Sequence, residues 1–330
     1  MSRNTPARRR PGRRAAVAAG LVLAVGLGVS TQVAAQAAVP APVKASAKAA
    51  AALRTVSGFN GDVVTQVADF YGAYIDAKDD AAGPDTALAK ALRAHYLTPA
   101  FAKQLAAWEK TNQADGLLRA QNVPVQWTVS EGGNGLEVVV TLTFGGGESP
   151  TTTTDLVVKQ EPTGRITDIR TTSIAPAKAA AKAAAKASAK ASAKASAKAS
   201  AKASAAVRSV SGRTGDSVTQ VADFYGAYVD AKDAPVGPDA ALAKALRAHY
   251  LTPAFAKQLK AWEKTNQADG VLRAQNVPVQ WTVSEGANSR EIAVTHTFGG
   301  GESPTVTTDL VVELEPVFGD VTGIRTTSAR

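Results

Sequence analysis

The amino-acid sequence contains one domain-sized segment twice, and this internal repeat constrains the fold more than any other feature. The segment TQVADFYGAYIDAKD at 65–79 returns with a single change at 219–233. Residues 90–132 return at 244–286 with two changes. A repeat of this length predicts two similar structural units rather than one large core. Surface and core positions are repeated alike, so the repetition itself does not single out functional residues.

The N-terminus has the parts of a secretory signal peptide. Six arginines precede residue 15, and the apolar run AAVAAGLVLAVGLGVS follows them. This run is shorter than the roughly 20 residues that a membrane-spanning helix needs. It therefore favours a cleaved signal, with cleavage between Ala37 and Ala38, over a membrane anchor. We expect an extracellular protein without a membrane span after signal removal, exported by the general secretory or the twin-arginine route.

The composition divides the chain into five predicted segments. They are a signal peptide (1–37), an Ala/Lys-rich segment (38–53), a first α+β domain (54–173), a Lys/Ala/Ser-rich linker (174–207) and a second α+β domain (208–330). The chain has no cysteine, so we expect neither disulfides nor thiolate metal ligands.

The net charge of +9 is unevenly distributed along the chain. Removal of the six N-terminal arginines leaves +3, and the seven linker lysines with Lys44 and Lys48 supply +9. The two repeats together therefore carry −6, which makes them an acidic pair on a basic linker.

Each repeat is predicted to form helices first and strands afterwards. In the first repeat Asp62, Asp85 and Thr98 are expected helix N-caps, the last with Pro99 at the first helical position. After Gly116 the apolar residues alternate with a period of two, which is typical of strands. Three helices followed by a four-stranded antiparallel meander predict an α+β domain with the helices against one sheet face. The expected core includes Val64, Val67, Tyr71, Tyr74, Ile75, Leu88, Leu92, Tyr96, Phe101, Leu105, Trp108, Val123, Val125, Trp127, Val129, Leu136, Val138, Val140, Leu142 and Phe144.

Several motifs of the first repeat resemble a family of bacterial exported domains of unknown function. They are FYGAYIDA, LRAHYLTPAF, ADGLLRAQNVPVQWTV and the closing strand GRITDIR, and the resemblance covers about 120 residues in each repeat. That family is related to the nuclear transport factor 2-like, cystatin-like α+β cone. This chain has Asn122 where the family usually has aspartate, and Arg165 where tryptophan is common. The resemblance therefore implies the fold, but no polar site that used the aspartate.

The resemblance also implies a pocket between a curled sheet and its helices. The candidate pocket-lining residues are Tyr71, Tyr74, His95, Tyr96, Trp127, Tyr225, Tyr228, His249, Tyr250 and Trp281. An isomerase or cyclase of this fold would need a carboxylate or histidine base and a donor for a developing oxyanion, roles that His95 and Tyr96 could fill. Aromatic residues at helical spacing more often form core. We therefore predict no catalytic residues, and an enzyme is the alternative hypothesis.

The sequence contains no motif of a metal, nucleotide or nucleophile site. HExxH, GxSxG and the P-loop pattern are absent, so we predict no metal and no cofactor. His296 stands where the first repeat has Leu142, on a strand face with apolar neighbours. Because no partner stands at metal-ligand spacing, it is predicted to be a hydrogen-bonded or edge-exposed histidine.

Seven lysines stand at intervals of four residues in the linker: Lys178, Lys182, Lys186, Lys190, Lys194, Lys198 and Lys202. Alanine and lysine favour helix, whereas like charges four residues apart oppose it, so a partly helical linker is expected. A lysine run without acidic residues binds anions irrespective of sequence. For an exported protein, anionic cell-wall polymers fit this run better than nucleic acid, since it lacks aromatic stacking residues. A simple charged spacer, or acceptor lysines for an extracellular cross-linking enzyme, are the alternatives.

Together these features predict a secreted, non-enzymatic tandem binding module with a cationic linker and an unidentified protein or small-molecule ligand. The alternatives are a small-molecule enzyme that uses the cone pocket, and a cell-wall-associated structural protein bound through its linker.

Overall fold

The computed structural model describes residues 54–80, 83–146, 149–172, 208–235, 237–300, 303–317 and 319–327. The predicted signal peptide, the Ala/Lys-rich segment and the linker with its seven lysines lie outside these residues. Within the described ranges the protein is α+β, with six helices and two antiparallel sheets of five strands each. None of the described helices is long and apolar enough to cross a membrane.

The two repeats contribute the same elements in the same order. The first repeat forms β1 (Thr55–Phe59), α1 (Val63–Asp79), α2 (Thr86–Tyr96), α3 (Pro99–Asn112), β2 (Gln126–Glu131), β3 (Glu137–Gly146), β4 (Ser149–Gln160) and β5 (Ile166–Thr171). The second repeat forms β6 (Ser209–Arg213), α4 (Ser217–Lys232), α5 (Ala240–Tyr250), α6 (Pro253–Asn266), β7 (Gln280–Glu285), β8 (Glu291–Gly300), β9 (Ser303–Leu314) and β10 (Val321–Thr326).

The three predicted helix starts of the first repeat are confirmed. The Asp62 side chain accepts a hydrogen bond from the Thr65 backbone N–H at 2.8 Å, and Asp85 caps α2 in the same way. Thr98 caps α3, with Pro99 at the first helical position, where the missing N–H would have had no partner in the helix. The second repeat has the equivalent caps at Asp216, Asp239 and Thr252.

The prediction of four-stranded sheets was wrong, because each sheet takes a fifth strand from the other repeat. The strand orders are β5-β4-β3-β2-β6 and β1-β7-β8-β9-β10. β1 pairs antiparallel with β7, and β6 pairs antiparallel with β2. The short segment TVSGF gives little strand signal, and its partner lies in the other repeat, where local periodicity cannot locate it. The repeats therefore exchange their first strands.

The helices α1 and α4 cross at the centre of the molecule, where glycine allows close approach. A Cβ added at Gly72 would lie 2.1 Å from Oδ1 of Asp223. One added at Gly226 would lie 2.2 Å from Cγ of Asp69. Any larger residue at either position would push the two helices apart.

Most of the predicted core positions are buried, with a few informative exceptions. Trp108 is half-buried, and the Arg119 guanidinium covers its ring at 4.1 Å from the centroid. Val125 precedes β2 and is 47% exposed, so the buried alternation starts at Trp127 and not at Val123 as the sequence suggested.

His296 contradicts the sequence prediction, since it is neither exposed nor hydrogen-bonded. The residue is fully buried, and neither ring nitrogen has a partner at good hydrogen-bond geometry within the described part of the chain, although the Leu272 backbone is near enough to act against the lowering of its pKa. Its ring packs against Tyr225, with 5.1 Å between centroids, and against Phe298. Burial lowers the pKa of His296 to about 4, so the imidazole is neutral at ordinary pH.

Candidate functional site

The ten predicted pocket-lining residues occupy three different environments. Four are fully buried in the cores: Tyr71, Trp127, Tyr225 and Trp281. Two have buried rings whose hydroxyls donate to a neighbouring aspartate at the base of a shallow surface depression: Tyr74 and Tyr228. Four make polar contacts with the other repeat: His95, Tyr96, His249 and Tyr250. This last group makes the polar contacts between the repeats, and Trp127 and Trp281 of the first group lie against the strand that the other repeat donates.

A cleft of about 650 Å³ lies where the two repeats meet. Side chains of both repeats line it, so neither repeat forms it alone. Its volume falls within the range of roughly 300–1,000 Å³ that is usual for small-molecule sites. The polar side chains that line it include Asn60, His95, Tyr96, Glu161, Arg165, Asp230, Asp233 and Asp239.

On one wall of the cleft, His95 contacts the N-cap of a helix from the other repeat. Its Nδ1 atom lies 3.1 Å from Oδ2 of Asp239, whose other oxygen, Oδ1, accepts backbone hydrogen bonds from Ala241 and Leu242 in the first turn of α5. Burial lowers the pKa of His95, and this outweighs the opposing effect of the Asp239 carboxylate. For Asp239, burial acts to raise the pKa, but the hydrogen bonds from Leu242 and His95 outweigh it and the pKa is lowered. The pair is therefore a neutral imidazole beside an ionised carboxylate at neutral pH.

Deeper in the cleft, Tyr96 donates a hydrogen bond of 2.6 Å to Oδ2 of Asp230. Burial raises the pKa of Asp230 to about 7, although the hydrogen bond from Tyr96 acts in the opposite direction. A carboxyl group with a near-neutral pKa beside a phenol can hold or release a proton at ordinary pH. Such a pair could serve either as a recognition group or as an acid–base pair.

The rim of the cleft is acidic with one cation. Asn60, just after the exchanged strand β1, donates to Oδ2 of Asp233 at 2.8 Å. Glu161 accepts from the Thr163 hydroxyl, and Arg165 donates to the Ala94 carbonyl at 3.3 Å. Arg165 is the only lysine or arginine among the described residues that line this cleft.

The residues of the second repeat that correspond to Tyr96 and His95 make the equivalent contacts with the first repeat. Tyr250 donates to Asp76 at 2.7 Å, and His249 lies 3.2 Å from Oδ2 of Asp85. The sequence differs at the rim, where Asp320 is the counterpart of Arg165. The two sides of the molecule therefore share a buried framework but differ in rim charge.

Four aspartates lie on the packed helices α1 and α4: Asp69, Asp223 and Asp230 are buried, and Asp76 is half-buried. Burial raises the pKa of each of them, and neighbouring carboxylates of the same group raise the pKa of Asp69 and Asp223 further. Oδ2 of Asp223 is buried without a hydrogen-bond partner in the described part of the chain. Protons on these carboxyl groups therefore stabilise the helix crossing.

Metal coordination finds no support in the described ranges. They contain no group of three or more His, Cys, Asp or Glu residues suited to holding a metal ion. The seven lysines predicted to bind anions lie outside the described residues.

Sequence reasoning found His95 and Tyr96 but missed their acidic partners. Asp239 and Asp230 belong to the other repeat, and no local pattern links them to α2. The available signal was the repeat itself, because two nearly identical units often pair about a twofold axis.

Comparisons with known proteins assign no family to this chain. No protein-family model matches the sequence, and no curated protein matches it either. The chain is similar to a solved structure of a protein of unknown function from Bacteroides thetaiotaomicron VPI-5482, with 20% sequence identity and a TM-score of 0.30. The match covers 33% of this chain and 88% of that one. At this TM-score the likeness carries no argument about fold or function.

Proposed function

We propose that this chain is a secreted, non-enzymatic binding protein made of two cone-like α+β domains, and that it holds a small ligand in the cleft between its repeats. The observation that carries the proposal is the cleft of about 650 Å³, which combines polar side chains from both repeats. The core aromatic residues that the family resemblance placed in a pocket are fully buried, which favours the cleft over the interior of either repeat.

The chemistry of the cleft favours an organic cation. Among the described residues that line it, four carry carboxylic acid side chains, Glu161, Asp230, Asp233 and Asp239, and Arg165 is the one permanent cation. Val63, Leu136 and several prolines add apolar walls. A ligand with an amine group and a short apolar body would satisfy both features, because charge pairing gives orientation and apolar contact gives burial.

Titration calorimetry with alkylamines and choline, and with the matched uncharged alcohols, tests this proposal. We expect the amines to bind and the alcohols not to bind. The variant Asp233→Asn should weaken amine binding by about tenfold, since a charge-assisted hydrogen bond contributes about 1.5–3 kcal/mol. Asp168→Asn makes the same charge change outside the cleft, at a side chain of the edge strand β5 that is 43% exposed, and should bind like the native protein. Absence of amine binding, or equal loss in both variants, would contradict the cleft as a cation site.

We also propose that the protein is exported and that its linker holds it at anionic cell-wall polymers. The N-terminal arginines with the apolar run support export, and the lysine run between two net acidic repeats supports the attachment. The alternative of a simple spacer shares the same composition, and only a binding measurement separates the two.

Co-sedimentation with purified Gram-positive cell walls across a salt series measures this attachment. We expect weak binding that falls sharply as salt shortens the Debye length from about 10 Å at 0.1 M. Replacing the seven linker lysines by glutamine should abolish the binding, and replacing them by arginine should preserve it. Binding that is equal in the glutamine variant, or indifferent to salt, would leave the lysines as a spacer.

A further inference from the structure

The surface that joins the two repeats is reciprocal, because each repeat gives a strand and receives one. β1 adds to the edge strand β7 from Thr55↔Ser284 to Phe59↔Gln280. β6 adds to β2 with the equivalent register. The glycine in each donated strand lies against the tryptophan of the receiving strand, Gly58 against Trp281 and Gly212 against Trp127. Without the donated strand, the tryptophan face would lack its cover.

The polar contacts of this surface are reciprocal too. Arg54 pairs with Asp216 at 2.6 Å, and Arg208 pairs with Asp62 at the same distance. The Tyr96–Asp230 contact is matched by Tyr250–Asp76. Each repeat therefore carries both members of every such pair. A repeat needs a partner of this kind, but nothing in the surface requires the partner to belong to the same chain.

We propose that this pairing surface also accepts a second copy of the chain, and that the length of the linker keeps the pairing within one chain. β5, which precedes the linker, and β6, which follows it, are opposite edges of the same sheet. Four interstrand spacings, or about 19 Å, separate them. The segment between Thr172 and Arg208 could span roughly 115 Å if extended, far more than the crossing needs. A linked partner also has an effective concentration in the millimolar range, which favours closure within the chain.

Shortening the linker in the full chain tests the proposal. A variant with only three residues between Thr172 and Arg208 spans at most about 14 Å, less than the crossing. We expect it to form a dimer of twice the native mass by light scattering, whereas a variant that keeps 20 linker residues should stay monomeric. A short-linker chain that folds as a monomer would overturn the proposal.

Introduced cysteines report which chain donates the strand, since the protein has none of its own. Ser57 and Thr282 are directly opposite each other across β1 and β7. The pair Ser57→Cys with Thr282→Cys should form a disulfide within the native-linker chain and between chains in the short-linker variant. Ser57→Cys with Thr295→Cys, one strand further away, should form none and serves as the control.

A second experiment uses the native linker, and it tests the proposal even if the short-linker variant does not fold. Chains with Ser57→Cys alone and chains with Thr282→Cys alone are unfolded together and refolded over a concentration series. We expect a disulfide-linked mixed dimer whose fraction rises with concentration, because exchange between chains then competes with closure within a chain. No mixed dimer at any concentration would mean that the surface accepts only the repeat of its own chain.

Discussion

Raising the pH from about 5 to about 8 is expected to destabilise this protein. The reason is the set of four aspartates on α1 and α4, whose pKa values lie above the ordinary range for carboxyl groups. Burial raises the pKa of Asp76 and of Asp230 to about 7, against an ordinary value of 3.8. Asp69 and Asp223 are raised well above that ordinary value.

The direction of the effect follows from proton linkage. A carboxyl group whose pKa is raised by folding holds its proton in the folded state at a pH where the unfolded chain has released it. The stability it contributes is complete below about pH 4 and is lost as the pH rises through about 7. Three other groups modify the effect. Arg54 acts to lower the pKa of Asp223, and the lowered pKa values of His95 and His296 make stability rise with pH below about 6.5, so the two histidines oppose the loss below that pH.

Unfolding midpoints in urea at pH 5, 6, 7 and 8 measure this dependence. The double variant Asp76→Asn with Asp230→Asn keeps an oxygen acceptor for the tyrosine hydroxyls that bond these carboxyl groups, and should flatten the slope. Asp168→Asn, at an exposed side chain of the edge strand β5, should leave the slope unchanged. A native protein that becomes steadily more stable from pH 5 to pH 8 would contradict the assignment.

Replacing His296 by leucine is expected to stabilise the protein, although the substitution is in the core. Leucine is the residue at the equivalent position of the first repeat, where Leu142 is fully buried. The variant removes a buried imidazole without a hydrogen bond, which costs about 1–3 kcal/mol. Because the pKa of His296 falls from 6.5 to about 4, the advantage should grow as the pH falls through this range, by about 3 kcal/mol in all.

Thermal or urea unfolding of the native protein and of His296→Leu at pH 7 and pH 4.5 checks this result. The reciprocal variant Leu142→His is the matched control and should destabilise the first repeat by a similar amount. If His296→Leu unfolds more easily than the native protein at pH 4.5, then the imidazole has a partner that offsets its burial.

The sequence predicted the local structure well and the pairing of the repeats poorly. The caps at Asp62, Asp85 and Thr98 were predictable because a capping side chain acts within three residues of its own position. The meander from β2 to β5 was predictable because hairpins pair neighbouring strands and turn residues mark their ends. The exchanged strand β1 was not, since nothing in its five residues says which sheet edge receives it.

In the candidate site, too, the residues with a local signal were predictable and their partners in the other repeat were not. His95 and Tyr96 stood out because aromatic and titratable residues are conspicuous on a short helix. Their partners Asp230 and Asp239 did not, because single aspartates on helices usually face solvent. The packing of Asp69 against Gly226 was equally hard to predict. A glycine within a helix indicates that another group packs closely there, but it does not identify that group.

The strand exchange also determines when folding can be completed. Thr55 and its partner Ser284 are 229 positions apart, so the first strand of the chain cannot be paired until most of the chain has been made. Contacts of such high sequence separation form slowly, because a long loop must close before they contribute any stability. During synthesis the edges of β2 and β1 therefore stay unpaired until their partner strands have been made, and unpaired edges are prone to aggregation. Chains that terminate before β7 would leave the N-terminal strand without its sheet.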